Sequence, residues 1–215
     1  MTSRNWPNEL VRACATISLL LCWPLAAQTR PLAAQSKTPA VALLDANDAA
    51  QWQNWTRELG WQVIAPRGAP GADIDSRVRA LAAAVEGAIQ RGSVDPARVY
   101  IAGRGDAVAA VFYAISRVPD LWAAGAALGG SPKAALDSNR LFTANFTLVP
   151  VLWIAGDDTK PMVEKLTAAK LNLEWQPASD GAGAVVVIEW LARHQRDAFP
   201  PVSYTHLTLP TNREV

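Results

Sequence analysis

Cysteine, histidine and charge of one sign are what this chain has least of. Its 215 residues hold two cysteines, Cys14 and Cys22, and two histidines, His194 and His206. Everything after Cys22 is therefore without disulfides and without a thiol nucleophile. With so few thiols and imidazoles a zinc site lacks ligands, and the scattered aspartates do not have the spacing of a calcium loop. We accordingly expect no metal and no cofactor. Lys and Arg number 20 against 19 Asp and Glu, a formal net charge of +1, and no basic run interleaves with aromatics. Charge thus recommends neither a nucleic-acid nor a membrane-surface partner. The apolar run Ala13 to Cys22 is broken by Pro24 and is too short to cross a bilayer core of about 30 Å.

That run is nevertheless informative. Arg4 and Arg12 precede it and Leu25-Ala26-Ala27 follows, the order of n-region, h-region and small residues that predicts a secretory signal cleaved near Ala27 or Ala34. The alternative is an uncleaved anchor. Leu21 before Cys22 is larger than the small residue a lipid-attachment site wants. We read residues 1–34 as signal peptide and short linker, and expect a secreted or periplasmic bacterial protein, which suits a chain without disulfides. At the other end, Val202-Ser203-Tyr204-Thr205-His206-Leu207 and the residues to Val215 abandon the preceding composition. Residues 202–215 resemble a translated sequencing adapter, and we read them as a non-native tail. On that reading the natural protein continues beyond Pro201.

Between these ends, residues 35–201 are long enough for one domain with a real core, and strand and helix patterns alternate along it. Short apolar runs at Pro39 to Leu44, Trp61 to Ala65, Arg98 to Ala102, Trp122 to Leu128, Val149 to Ala155 and Leu171 to Gln176 predict strands. Val149 to Ala155 is apolar throughout, as in a strand covered on both faces. The helix patterns carry Trp52, Trp55, Thr56 and Leu59, ending at Gly60; Val78, Leu81, Ala82, Val85 and Ile89, capped by Asp75; Val108, Val111, Phe112 and Ile115; a run from Thr159 and Pro161 to Lys170; and a last helix opened by Asp180 with Val187, Trp190 and Leu191. Asp95-Pro96 predicts a turn into its strand. The order implies an α/β fold: a doubly wound, mainly parallel sheet with helices on both faces.

The sharpest motif lies where the third strand meets its helix. Tyr100-Ile101-Ala102-Gly103-Arg104-Gly105-Asp106-Ala107-Val108 reads as strand, tight turn and helix, the setting of the G-x-S-x-G nucleophile elbow, which lifts a serine above a parallel sheet. The central position here is Gly105, which offers no atom to attack with. Asp106, next in line, belongs to the helix start, where a carboxylate suits the dipole. Serving as a nucleophile would require the turn to slip by one residue.

Leu59-Gly60-Trp61-Gln62-Val63-Ile64-Ala65-Pro66-Arg67-Gly68, Val94-Asp95-Pro96-Ala97-Arg98-Val99-Tyr100-Ile101-Ala102-Gly103 and Pro119-Asp120-Leu121-Trp122-Ala123-Ala124 resemble secreted esterases of the α/β-hydrolase fold. The closest likeness is to the polyhydroxybutyrate depolymerase and feruloyl esterase type, with the phospholipase/carboxylesterase group nearby. It spans about Pro39 to Pro201. The resemblance implies an α/β-hydrolase-like sheet, truncated at its C-terminal end, with a serine at the elbow, an acid after Val151 to Ala155, a histidine after Leu171 to Gln176 and an oxyanion loop after the first strand. The chain departs from this pattern at three places. Gly105 replaces the serine; Pro177 to Gly183 contains no histidine; and Asp45-Ala46-Asn47-Asp48 stands where close backbone donors would face an oxyanion. For the acid, Asp158 is the first candidate and Asp157 the second, with helix capping as the alternative role for both. His194 falls near the end of the last helix, where no family role awaits it.

Other candidates are weaker. Arg67-Gly68-Ala69-Pro70-Gly71 lacks the Lys-Ser/Thr end of a phosphate loop and reads as a surface turn. Ser131, after Gly129-Gly130, lacks a base and reads as a loop hydroxyl. Trp153 and Trp61 are expected in the core, and Trp52, Trp55 and Trp122 are assigned there in preference to a ligand groove. Asn54-Trp55-Thr56 and Asn145-Phe146-Thr147 fit glycosylation sequons. Taken together, the remnants Gly103, Gly105, Asp106 and Asp158 imply a protein of esterase descent that has lost catalysis and keeps a cleft for a small ester, an aromatic acid or an acylated polysaccharide. The alternatives are an active carboxylic-ester hydrolase with relocated or externally supplied residues, and a structural or interaction domain of a longer protein.

Overall fold

In a computed structural model, which describes residues 37–68, 71–178 and 184–197, six strands form one sheet in which every pairing is parallel. The strands are β1 (Thr38–Leu43), β2 (Gln62–Ile64), β3 (Val94–Arg104), β4 (Ala124–Leu128), β5 (Val151–Ala155) and β6 (Leu173–Pro177), and their order across the sheet is β2-β1-β3-β4-β5-β6. The helices are α1 (Ala49–Thr56), α2 (Ile74–Gln90), α3 (Ala107–Arg117), α4 (Lys133–Leu136), α5 (Lys160–Ala168) and α6 (Ala184–Ala192). No described helix is long and apolar enough to cross a membrane.

Alternation along the strands builds two cores. Ala40, Ala42, Val99, Ile101, Ala127, Val151 and Trp153 face one side, where α2, α3 and α5 cover them. Val41, Leu43, Tyr100, Ala102, Ala126, Leu152 and Ile154 face the other, against Trp52 of α1 and Val187, Ile188, Trp190 and Leu191 of α6. Covering both faces is why the central strands read as unbroken apolar runs.

α3 is the central helix, with every residue from Ala107 to Ser116 buried. It lies almost backbone to backbone on β3 and β4. A Cβ at Gly103 would come within 2.8 Å of Val111 Cγ2 and 2.9 Å of the Ala107 carbonyl, and one at Gly125 within 2.6 Å of Ile115 Cδ1. At its far end, buried Ser116 accepts the Phe142 N–H (2.5 Å), and its carbonyl accepts from Asn145 Nδ2 (2.6 Å). Asn145 is thus spent inside the structure, and Thr56 of the other sequon is buried and donates to the Trp52 carbonyl (2.8 Å).

Several expectations are corrected. The cap of α2 is Asp73, whose Oδ1 accepts the Ser76 N–H (2.9 Å); Asp75 lies in the first turn, accepting from Tyr113 (3.1 Å) and pairing with Arg79 (3.1 Å). Asp95 and Pro96 do not precede β3 but form a bulge within it. The register jumps from Thr38 opposite Val94 to Ala40 opposite Val99, and Asp95 closes a local turn by accepting the Ala97 N–H (3.0 Å). α1 stops at Thr56, before Gly60, and leaves Leu59 54% exposed. Trp61 precedes β2, is half-buried and stacks on Tyr100 at 5.0 Å. Trp52, Trp122 and Trp153 are buried as expected. The signal, the tail and Asp180 lie outside the described residues.

Three carboxylates couple this fold to pH, and the first is the α2 cap Asp73, which the Ser76 N–H and hydroxyl hold below its ordinary range. Trp190 Nε1–H donates to Glu174 at 2.7 Å, tying α6 to β6, and with Gln176 it holds the Glu174 carboxyl below its ordinary range. Burial opposes the charge of Asp95, but Arg98 and the Ala97 N–H outweigh it, and this carboxyl too is held low. A folded-state pKa below the unfolded value adds stability above the unfolded pKa, and that stability is lost as pH falls through the folded one. Thermal unfolding followed from about pH 6 to about pH 3 should show the melting temperature falling with acid. Glu174→Gln should flatten part of that slope, by well under about 1 kcal/mol for so exposed a group.

Candidate active site

β1 and β3 stay paired up to Leu43 opposite Ala102, and the chain leaves them for α1 and α3 on opposite faces of the sheet, the switch point at which doubly wound sheets form a ligand crevice. One wall of it is the elbow. β3 ends at Arg104, Gly105 takes φ +55°, and Asp106 is the residue before α3. The Gly105 N–H donates to the Leu128 carbonyl (3.0 Å), and its own carbonyl accepts from the Val108 N–H (3.1 Å). The strand-turn-helix expected around Gly105 is thus present, with the left-handed residue at the central position. A Cβ built there meets nothing within 4 Å. Space for a nucleophile exists, and what is missing is the side chain. Asp106 is exposed, helical in its backbone and makes no capping hydrogen bond; the turn has not slipped to lift it into the central position.

The opposite wall is the loop after β1. Asp45 opens a short 3-10 turn, Ala46–Asp48, and its Oδ1 accepts the Asn47 N–H at 2.9 Å. A donor that could have faced a developing negative charge is satisfied by the loop's own carboxylate. Arg77 of α2 donates to the Leu44 carbonyl at 2.9 Å and pins the loop from behind. Arg104 sits over the Trp55 ring at 5.9 Å, so its guanidinium leans toward α1.

After β5 the chain turns at Gly156 into a second 3-10 turn, Asp157–Thr159. Asp157 pairs with Lys160 at 3.1 Å. Asp158 instead lines a cavity of about 400 Å³ together with Gly130, Ser131, Trp153, Thr159 and Met162. Of the two aspartates, Asp158 is the one in this cavity, at the ends of β4 and β5 and beside the elbow. Ser131, dismissed as a loop hydroxyl, shares this cavity. Gly129-Gly130 at a strand end was the available signal, because a Cβ on Gly130 would fall on the Gly105 carbonyl.

The one histidine among the described residues lies toward the N-terminal ends of the strands, away from the elbow. His194 follows α6, its Nδ1 lies 2.8 Å from the Trp190 carbonyl, and its own carbonyl accepts from Tyr100 Oη (3.0 Å). Its neighbour Arg196 donates its N–H to Ala97 near the start of β3 (2.8 Å), whereas the elbow follows the end of β3. At about 3.3 Å per residue the strands put roughly 15 Å or more between this imidazole and Gly105, far beyond hydrogen-bond reach. Burial pushes the Tyr100 hydroxyl up to about 12, so it stays a proton donor to that carbonyl. His206 lies outside the described residues, as do Ala69 and Pro70 of the Arg67 to Gly71 turn. No group of three or more His, Cys, Asp or Glu that could hold a metal occurs among the described residues.

No protein-family model matches the sequence, and no curated protein matches it. Solved structures do. A thermostable esterase superposes with a TM-score of 0.58 at 16% identity, covering 78% of this chain and 57% of its own. An esterase from Rhizomucor miehei gives 0.55 at 8% identity, covering 76% of each chain. A variant of SOBER1 from Arabidopsis thaliana gives 0.53 at 17% identity, covering 74% of this chain and 99% of its own. The chain thus spans little more than half the length of the first of these. With the six-stranded parallel sheet and its two helical layers, the likeness establishes the α/β-hydrolase fold.

The elbow's two glycines should respond differently to alanine. At Gly103 the added methyl meets Val111 and the Ala107 backbone, an overpacking that should cost about 1–3 kcal/mol. At Gly105 there is room, and only the left-handed backbone is strained, at roughly 1–2 kcal/mol. Urea unfolding of Gly103→Ala and Gly105→Ala, with α-helical content checked by circular dichroism, measures both.

Proposed function

We propose that this chain is a non-catalytic α/β-hydrolase-fold protein that binds, without cleaving, a small ester or acylated saccharide in the crevice above Gly105. The observation that carries the reading is Gly105 itself: the elbow keeps its turn, its φ of +55° and its open space, and has no oxygen or sulfur at its centre.

Acyl transfer needs a nucleophile, a base within reach and donors aimed at the oxyanion. Here the first is absent, the one histidine among the described residues sits at the opposite end of the strands, and the loop that would supply donors is occupied by Asp45. Losing the nucleophile and base together forfeits on the order of 10⁶ in kcat, roughly 8 kcal/mol of barrier. A cleft outlives such losses, because the fold makes it at the carboxyl ends of the strands. Neighbouring structures described as esterases support an ester-like ligand. The signal-like residues 1–34 support export to a periplasm or exterior, with residues 35–201 as the working domain.

The test is turnover of p-nitrophenyl and feruloyl esters by residues 35–201, beside Gly105→Ser. Neither protein should exceed background, since a serine placed at the elbow still lacks a base, while esters should raise the melting temperature of both. Turnover by the parent would overturn the reading, and turnover that also survives Asp158→Asn would point to a relocated nucleophile.

A further inference from the structure

The cavity of about 400 Å³ beside the elbow has a lining more selective than a generic cleft. Its volume is that of a small-molecule site, about 300–1,000 Å³. It touches the elbow directly through Gly130, whose backbone packs on the Gly105 carbonyl.

The polar groups left available inside it are few. Thr159 is already spent, donating to the Gly156 carbonyl (2.7 Å) and accepting from Trp175 Nε1 (3.1 Å). Ser131 Oγ accepts the Lys133 N–H (3.2 Å), which leaves its own O–H to donate. Asp158 contributes a carboxylate, whose oxygens accept. No lining residue is basic. Of the nearby cations, Lys133 is paired with Asp137 (2.5 Å), and Lys160 is paired with Asp157 (3.1 Å) and held over the Trp175 ring at 5.2 Å.

The position of Asp158 leaves a mark on its neighbour. Gly156 has an ordinary extended backbone, φ −64° and ψ 162°, which any residue adopts. Yet a Cβ there would lie 2.5 Å from Asp158 Oδ1. The carboxylate folds over Gly156 and occupies the place of its side chain.

Resting on the reading of the crevice as a binding site, we propose that this cavity receives the neutral, hydroxyl-bearing part of the ligand, a sugar or polyol unit, and excludes free acids. One free donor beside one anionic acceptor matches hydroxyls, which both donate and accept. A carboxylate ligand would meet Asp158 with like charge and no cation to offset it. Of the apolar lining, Trp153 and Ala155 are buried, and half-buried Met162 is the side chain that can meet the C–H face of a sugar ring.

The test uses the full chain and two probes that share a ring and differ by one carboxylate: methyl β-D-glucopyranoside and methyl β-D-glucuronide. Titration calorimetry should show the neutral glycoside binding at least about tenfold tighter, a discrimination set by charge complementarity. Asp158→Asn should bring the two probes together by strengthening the glucuronide. Gly156→Ala, which displaces the carboxylate without removing it, should weaken the glycoside. Equal or tighter binding of the glucuronide by the parent, or a ratio unchanged in Asp158→Asn with circular dichroism confirming the fold, would overturn the proposal. Should esters bind while neither glycoside does, this inference fails and the binding crevice stands; should nothing bind, both fail.

Discussion

Everything at the top of this sheet depends on how closely α3 lies on β3 and β4. Gly103 and Gly125 remove the side chains that would hold the helix away, and the chain must then reverse from strand to helix within Gly105 and Asp106. Only a left-handed residue accomplishes that reversal, and Gly105 supplies it without strain. The same close approach brings Gly130 against the Gly105 carbonyl and so opens the neighbouring cavity directly onto the turn. Packing, turn and cavity are one constraint seen from three sides.

Electrostatics separates the two walls of the crevice from the core that supports them. Among the described residues with side-chain partners, the buried hydroxyls serve the scaffold: Thr56 bonds within α1, and Ser116 anchors the segment between β4 and β5. Carboxylates, by contrast, gather at the strand ends, and they are used differently. Asp45 is consumed by its own loop and Asp157 by Lys160, while Asp158 is turned into the cavity. A site organised this way handles hydrogen-bond donors far better than it handles developing negative charge.

Much of this was legible in the residues. Strands buried on both faces announce themselves as apolar runs, and a glycine-flanked turn between such a strand and an amphipathic run marks the elbow. The misreadings have local causes. Asp73 and Asp75 are equally good capping residues two positions apart, and tertiary contacts to Tyr113 and Arg79 draw Asp75 into the first turn. Asp95-Pro96 is a turn, as its composition says, but one embedded in a strand that pairs on both sides of it. Leu59 fits the helical stripe and is exposed because α1 ends a residue earlier than Arg57. Ser131 and Asp158 come from the ends of different strands, and no spacing rule connects them. His194 lies at the N-terminal ends of the strands because α6 runs back beside the sheet, which needs the topology to see.

The left-handed turn at Gly105 also shapes which sequences are reachable from this one. A serine there strains the backbone, and among the described residues no histidine stands near enough to activate it, while a histidine placed there first has nothing to activate. Each single step is neutral or harmful, and only the pair is rewarded. On the proposed reading of a non-catalytic binding crevice, mutational drift from the present sequence is freer to retune what the crevice holds than to assemble a serine and a histidine together.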